Sequence, residues 1–216
     1  MPHPIISFII PARNEEVLLP LCVRSVQRAA RAVGLEHEIV VVDDGSLDRT
    51  ASTAEQLGVR VLRAQVKRAA MARNLGAAVS SGHLLVFVDA DTMIDAFILD
   101  RTIKAWHEGA AGGSASICFD DPVPFWARHL LPVAQWINRR MGYGWGCYMF
   151  ATRRAFVAAA GYDETLPTGE AFALSRALAR QGRFKVLPER VLTSARNLRG
   201  WRADALSLDD AGDPEG

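Results

Sequence analysis

The sequence predicts an α/β fold in which helices flank a mostly parallel β-sheet. Short apolar runs alternate with segments of helical periodicity through the first ninety residues. The runs at 5–10 and 84–88 are apolar on both faces, which is typical of parallel strands covered by helices on both sides. Apolar residues make up 50% of the 216 residues, and this is enough for a buried core.

The first half is predicted from its periodicity and its turn residues. The first strand stops at Pro11, the first helix stops at Gly34, and Ser46 or Asp48 is the predicted N-cap of the second helix. The predicted elements are, in order, a strand over 5–10, a helix over about 15–33, a strand over 38–42, a helix ending at Gly58, a strand over 59–62, a helix over 67–79 and a strand over 84–88.

The second half is less regular. A segment over 122–141 combines apolar and aromatic residues with flanking arginines, and a Gly–aromatic loop follows it over 142–146. The other predicted elements are a helix over 96–106, strands over 112–119, 147–151 and 184–187, and helices over 153–160 and 170–180.

Charge and cysteine content exclude several classes of protein. The formal net charge of +1 gives no global positive field, so we expect no nucleic-acid partner. The three cysteines Cys22, Cys118 and Cys147 are far apart, which argues against a disulfide framework or a zinc site and fits a reducing compartment. No stretch approaches the roughly 18 apolar residues of a membrane span. We therefore expect a cytoplasmic protein, at most peripheral to the inner face of a membrane.

Two carboxylates follow the strand over 84–88 directly. If the extended geometry continues to Asp91, the side chains of Asp89 and Asp91 point the same way, and a cation is needed to offset their repulsion. Hard oxygen ligands favour Mg²⁺ or Mn²⁺, and Mg²⁺ is usually held by one or two carboxylates plus substrate phosphates. This Asp-x-Asp pattern therefore predicts a metal-dependent phosphate or diphosphate site. The alternative is two solvated carboxylates, one of which caps the next helix.

Other polar residues also follow strands, where parallel sheets bind ligands. The carboxylates of Asp43 and Asp44 can accept from a base N–H or a ribose hydroxyl, although a turn and an N-cap also explain this segment. Arg13, Asn14 and Glu15 form a similar cluster, in which Asn14 could instead cap the first helix. Arg73 is either a solvated helix charge or a residue that faces the diphosphate.

Together these motifs resemble the family-2 glycosyltransferases. The order and spacing match over 5–91 and more weakly to about 190. The resemblance implies a single-domain A-type glycosyltransferase fold, which is Rossmann-like and binds a nucleotide-diphosphate sugar. The residues that carry it are Ile9-Ile10-Pro11-Ala12-Arg13-Asn14-Glu15-Glu16, Ile39-Val40-Val41-Val42-Asp43-Asp44-Gly45-Ser46, Ala72-Arg73-Asn74-Leu75-Gly76 and Phe87-Val88-Asp89-Ala90-Asp91.

The resemblance also assigns roles by position. It implies that Asp89 lies near the ribose and that Asp91 coordinates Mn²⁺ or Mg²⁺. It divides a domain over 1–200 into a donor-binding half over 5–91 and an acceptor half over 92–200, and the acidic tail over 201–216 is expected to be disordered. The residues that would hold the nucleoside are Pro11, Ala12, Arg13, Asn14, Glu15 and Asp43.

The resemblance implies an inverting, hexosyltransferase-like enzyme, but the position of its usual catalytic base is altered. Relatives carry a Glu-Asp pair at the start of a helix, whereas this chain has Glu170 followed by Ala171. Glu170 is therefore the candidate base for the acceptor hydroxyl. The alternative bases are Asp163, Glu164, Asp120 and Asp121.

The acceptor could be a saccharide, a lipid-linked compound or a small molecule. Aromatic residues after Gly142 could stack on a sugar ring or pack in the core, and 122–141 is either a buried helix or a segment lying on an anionic membrane. The segment over 197–201 lacks the Gln-x-x-Arg-Trp motif of processive polymer synthases, so we expect a non-processive enzyme.

Two other functions remain open from the sequence. One is a nucleotide-sugar-binding protein with little catalysis, which the missing aspartate favours. The other is a haloacid-dehalogenase-type phosphatase, although Thr92 lies one residue too early for that class. A dinucleotide oxidoreductase is disfavoured because no GxGxxG follows the first strand.

Overall fold

The fold is described by a computed structural model that covers residues 6–120 and 125–196, without the side chains of 125–129 and 131. The predictions for Asp121 and for the tail over 201–216 lie outside the described residues. The strands are β1 Ile6–Ala12, β2 His37–Asp44, β3 Arg60–Ala64, β4 Leu84–Val88, β5 Thr92–Met93, β6 Ala110–Phe119, β7 Tyr148–Thr152 and β8 Arg183–Thr193. The helices are α1 Leu19–Val33, α2 Thr50–Gln56, α3 Ala69–Val79, α4 Ala96–His107, α5 Phe125–Met141, α6 Arg153–Ala158 and α7 Glu170–Gln181.

The strands form one mixed sheet in the order β3-β2-β1-β4-β7-β6-β8-β5. Strands β3, β2, β1 and β4 are mutually parallel, and β6 and β8 run in the same direction as they do. Only β7 and β5 of these eight strands run the opposite way. The predicted mostly parallel sheet flanked by helices is therefore confirmed.

Alternate side chains of the central strands enter two separate cores. Phe8 and Ile10 of β1 pack with Cys22 and Val26 of α1 on one face of the sheet. Ile9 belongs to the core on the other face, which contains residues of α3, α6 and α7. This period of two is the reason that the strands read as continuous apolar runs in the sequence.

Close packing of α3 on the sheet depends on a glycine. A Cβ atom on Gly76 would overlap the side chain of Ile9 and would lie 3.0 Å from Cγ2 of Val42. The helix that carries Arg73 therefore lies unusually near β1 and β2, and this brings Arg73 towards the carboxyl ends of the strands.

The predicted N-terminal boundaries of α1 and α2 were wrong. Helix α1 begins at Leu19 rather than near residue 15, and Asn14 does not cap it. Helix α2 begins at Thr50, where Asp48 Oδ1 accepts from the N–H of Thr50. The Ser46 hydroxyl accepts from the N–H of Asn14, and Asp48 Oδ2 accepts from the N–H of Glu16. Tertiary contacts between the two loops thus use the side chains that resemble caps.

The second half differs from prediction mainly in its strands. The two-residue strand β5 was not predicted, and β8 continues to Thr193 instead of ending at Leu187. Helix α7 begins at Glu170 as predicted. Among the described residues, no helix is long and apolar enough to cross a bilayer.

Candidate functional site

A cavity of about 300 Å³ opens at the carboxyl ends of β1, β2 and β4. This is the edge of a parallel sheet at which ligands are expected. Charged side chains of both signs line it, which suits a ligand that carries phosphates together with a cation. Its lining residues are Pro11, Ala12, Arg13, Glu15, Asp44, Lys67, Arg68, Ala69, Ala72, Arg73, Asp89, Ala90, Asp91 and Arg196.

Most of the predicted site residues meet in this cavity. They come from the ends of β1, β2 and β4 and from α3, which are far apart in the sequence. Asn14, Asp43 and Glu170 do not line it directly. The predicted residues that line it are Pro11, Ala12, Arg13, Glu15, Asp44, Arg73, Asp89 and Asp91.

Asp44 holds one wall of the cavity in place. Its Oδ1 accepts from the backbone N–H groups of Val66 and Lys67, at 2.6 and 2.8 Å. Lys67 has a positive φ of 55°, so these hydrogen bonds stabilise a backbone conformation that is unfavourable for a side chain of this size. Asp44 therefore shapes the loop that presents the exposed Lys67 and Arg68.

Asn14 joins the loops that follow β1 and β2. It adopts φ 54°, and its Oδ1 accepts from the backbone N–H of Leu47 at 2.8 Å. The amide side chain is thus occupied by the neighbouring loop. In this structure Asn14 supports the wall of the site through Leu47 and Ser46.

Asp43 is buried and has a free acceptor. The residue is only 6% exposed, and its Oδ1 has no hydrogen-bond partner among the described residues. Its neighbours across the sheet are Ala12 of β1 and Arg63 of β3. Since buried acceptors are nearly always satisfied, a ligand donor is the expected partner for this oxygen.

Arg73 joins two carboxylates beneath the cavity. Its side chain is 5% exposed; Nη2 donates to Asp89 Oδ1 at 2.7 Å and Nη1 donates to Glu170 Oε1 at 3.0 Å. The guanidinium also lies over the ring of Tyr162, 5.2 Å from its centroid. Arg73 is therefore a buried cation that links the donor half to α7, and it is not a solvated helix charge.

Burial and charge act in opposite directions on this cluster. Burial raises the pKa of Asp89 above its ordinary value, although the charge of Arg73 opposes the rise. Burial by itself lowers the pKa of Arg73, but the charge of Asp89 and the other groups facing it raise that pKa overall. The guanidinium thus stays charged and stabilises the anionic form of Asp89.

Asp91 pairs with a second arginine that the sequence did not indicate. Arg196 Nη2 donates to Asp91 Oδ2 at 3.1 Å and to both carboxylate oxygens of Glu15, at 2.7 and 2.9 Å. Burial raises the pKa of Glu15 despite this partner. Arg196 comes 105 residues after Asp91, and no spacing rule could have brought the two together.

The two aspartates of the Asp-x-Asp motif do not share one cation. Strand β4 ends at Val88, and the N–H of Thr92 donates to the carbonyl of Asp89 at 2.9 Å, closing a turn. The extended geometry therefore does not continue to Asp91. Because of this turn, Asp89 contacts Arg73 and Asp91 contacts Arg196.

Asp91 and Glu15 provide two carboxylates, which is only part of the set of ligands that a divalent ion needs. The two carboxylates already enclose a positive charge, since the guanidinium of Arg196 lies between them. Within 6–120 and 125–196, no group of three or more His, Cys, Asp or Glu side chains could hold a metal without help. Mg²⁺ and Mn²⁺ sites of this kind are completed by substrate phosphates, so the donor set suits a metal that arrives with a diphosphate.

The alternative base candidates are held by other groups. Asp163 Oδ1 accepts from Thr165, and these hydrogen bonds lower its pKa. Glu164 accepts from Asn74, and Asp120 accepts from the N–H of Ala195. Of these described candidates, Glu170 alone contacts the Arg73–Asp89 pair.

The Gly–aromatic loop contributes one stacked pair near α7. The rings of Tyr143 and Phe172 stack with centroids 3.5 Å apart, and Phe172 is 42% exposed. Tyr148 is fully buried and its hydroxyl lies 2.7 Å from that of Thr102, so it belongs to the core. The acceptor-side aromatic residues are therefore divided between core packing and an exposed stack.

Comparison with known proteins identifies the relatives of this chain. Residues 7–163 match the model of glycosyl transferase family 2. The undecaprenyl-phosphate 4-deoxy-4-formamido-L-arabinose transferase of Pseudomonas paraeruginosa is 32% identical over 172 residues, covering 73% of this chain and 50% of the relative. The chain thus spans half the length of that protein.

Two solved structures share the fold at low sequence identity. S. aureus TarS 1-349 in complex with UDP-GlcNAc has a TM-score of 0.70 and 18% identity, covering 88% of this chain and 58% of that one. The mannosyltransferase PcManGT from Pyrobaculum calidifontis, in complex with GDP-Man and Mn²⁺, has a TM-score of 0.72 and 16% identity, covering 99% and 67%. These likenesses confirm the expected A-type fold.

Proposed function

Because the chain belongs to glycosyl transferase family 2, we propose that it transfers a sugar from a nucleotide-diphosphate sugar to an acceptor hydroxyl. The observation that carries the proposal is the convergence of residues from β1, β2, β4 and α3 on one charged cavity. Membership of this family argues against the phosphatase alternative. The structural neighbours bound to UDP-GlcNAc and GDP-Man support a nucleotide sugar as the donor.

In this proposal the nucleoside lies against the ends of β1 and β2. The free Oδ1 of Asp43 accepts from a base N–H or a ribose hydroxyl. Arg13, Lys67 and Arg68 supply positive charge for the phosphates. Asp89, which Arg73 holds in place, lies near the ribose.

Asp91 and Glu15 would hold Mn²⁺ or Mg²⁺ in the proposed complex. The ion would stabilise the negative charge that develops on the departing nucleoside diphosphate. Arg196, which pairs with both carboxylates here, would then be available to the phosphates. The neighbour that contains Mn²⁺ supports the choice of metal.

For the transfer step we propose single displacement with inversion. Glu170, at the first turn of α7, takes the proton of the acceptor hydroxyl. The relatives named for undecaprenyl-phosphate support a lipid-linked acceptor as the first class to test.

All three cysteines are free, which supports a cytoplasmic location.

A second candidate function is binding of a nucleotide sugar with little catalysis. Ala171 occupies the position of the usual catalytic aspartate, and Glu170 is already paired with Arg73. Retained nucleotide binding without donor hydrolysis or transfer would support this candidate.

The donor and the metal can be tested by thermal unfolding. We expect one nucleoside diphosphate among UDP, GDP, ADP, CDP and dTDP to raise the melting temperature, and Mn²⁺ to increase that shift. A nucleotide concentration of 100 times the dissociation constant raises the free energy of unfolding by about 2.7 kcal/mol. Asp91→Ala should abolish the Mn²⁺-dependent part.

The control for this experiment is Asp100→Ala, which removes an exposed carboxylate of α4 and should leave the Mn²⁺ effect unchanged. If no nucleoside diphosphate stabilises the protein, the proposed function is rejected. If Asp91→Ala retains the full Mn²⁺ effect, the proposed metal ligand is rejected.

A further inference from the structure

Helix α5 presents an apolar face to solvent. Its exposed side chains recur at spacings of three and four, so they lie along one side of the helix. The usual surface helix directs such a face towards the core. The residues of this outward face, with their exposed fractions, are Leu130 (58%), Val133 (53%), Trp136 (56%), Ile137 (40%) and Met141 (58%).

The inward side of α5 is partly polar. Gln135 is half-buried, and its Nε2 donates to the carbonyl of Ile117 in β6 at 3.0 Å. Asn138 is also half-buried, and its backbone carbonyl accepts from the backbone N–H of Tyr143. The Gln135 side chain thus anchors this side of α5 on β6, and the apolar face is left for another partner.

The charge of this segment is positive. The 41 residues over 122–162 contain five arginines and no Asp or Glu. Arg139 and Arg140 are exposed at the end of α5, and the guanidinium of Arg140 lies 5.7 Å from the ring centroid of Trp136. An apolar face with an aromatic residue and adjacent arginines is the pattern of helices that lie in the plane of an anionic membrane surface.

The topology places α5 at the end of the sheet where the parallel strands finish, which is also the end that carries the candidate site. The helix connects the end of β6 to the start of β7. Tyr148 at the start of β7 pairs with Val88, the last residue of β4, directly before Asp89. The outward face and the candidate site therefore belong to the same end of the molecule.

We propose that the outward face of α5 docks onto an anionic lipid bilayer. A second copy of the chain fits less well, because a symmetric pair of these faces would bring their exposed arginines, Arg139 and Arg140, together. The docking itself goes beyond the proposed function. Delivery of a lipid-borne acceptor to the site would follow from it, and that consequence rests on the proposed function.

Vesicle flotation of the full chain tests the docking. We expect binding to vesicles of phosphatidylcholine mixed with an equal part of phosphatidylglycerol, and roughly tenfold weaker binding to phosphatidylcholine alone. Trp136→Ala and the double variant R139Q/R140Q should each weaken binding to the mixed vesicles by a similar factor.

Two matched controls are available. Phe97→Ala removes another aromatic residue that is 58% exposed and lies under an arginine, since the Arg101 guanidinium is 5.4 Å from its ring centroid. R24Q/R28Q removes two exposed arginines of α1. Both controls should bind mixed vesicles as the unchanged protein does.

Three outcomes would overturn the docking: no binding to mixed vesicles, an equal loss in the controls, or a lipid-free dimer that Trp136→Ala dissociates, which would identify a second copy as the partner. Nucleotide binding is measured on the same samples without vesicles. Failure of nucleotide binding alone rejects the proposed function and leaves the docking intact, so the two failures are distinguishable.

Discussion

Replacing Glu170 with glutamine is expected to slow sugar transfer by roughly 10²- to 10⁴-fold. The amide keeps the size of the side chain, and its oxygen can still accept from Arg73, which lies 3.0 Å from Glu170 Oε1. It cannot take a proton from the acceptor. Nucleoside diphosphate binding should therefore be unchanged while the rate falls, and steady-state assays with the donor identified by thermal unfolding would measure both.

The natural control is Asp163→Asn. This carboxylate is exposed and accepts hydrogen bonds from Thr165, which lower its pKa and make it a poorer base. We expect at most a small change in rate. Normal transfer by Glu170→Gln, combined with an inactive Asp163→Asn, would move the role of base to Asp163.

The sheet was predictable from the sequence because its signals are local. Each of the runs that form β1, β2 and β4 is apolar on both faces and ends at a polar cluster, so the position of the site follows from the parallel direction of these strands, whose carboxyl ends meet. The cavity at the ends of these strands was expected for the same reason.

The pairing of side chains within the site could not be predicted in this way. Arg196 contacts Asp91 and Glu15 across more than a hundred residues, and Arg73 contacts Glu170 across 97. A helix pattern cannot distinguish a buried arginine from a solvated one. The cap-like residues Ser46 and Asn14 failed as helix signals because they hydrogen-bond between two loops.

Replacing Arg73 with methionine is expected to lower the free energy of unfolding by about 3 kcal/mol at neutral pH. The change keeps most of the apolar stem but leaves Asp89 and Glu170 without their common cation. These carboxylates are 31% and 23% exposed, so water offsets part of the cost and places it at the low end for a broken buried pair. Urea denaturation followed by circular dichroism would measure the loss.

The effect of this substitution should depend on pH. Burial already raises the pKa of Asp89 in the folded protein above its unfolded value of 3.8, and removal of Arg73 takes away a charge that lowers it. A group with a raised folded pKa stabilises the fold below its unfolded pKa, and this stabilisation is lost as pH rises through the folded pKa. The destabilisation by Arg73→Met should therefore be smaller at acidic pH than at neutral pH.

Arg63→Met provides the matched comparison, because Arg63 forms an ion pair with Glu55 at a similar distance of 2.8 Å, whereas both side chains are more than half exposed. Exposed pairs contribute about 0–1 kcal/mol, so this variant should unfold almost as the unchanged protein does. Equal stability of Arg73→Met and Arg63→Met at neutral pH would contradict the assignment of Arg73 as the buried cation that holds Asp89 and Glu170 together. A loss confined to Arg73→Met, and reduced at acidic pH, would identify the unpaired carboxylates as its cause, since a packing defect alone has no reason to respond to protonation of Asp89.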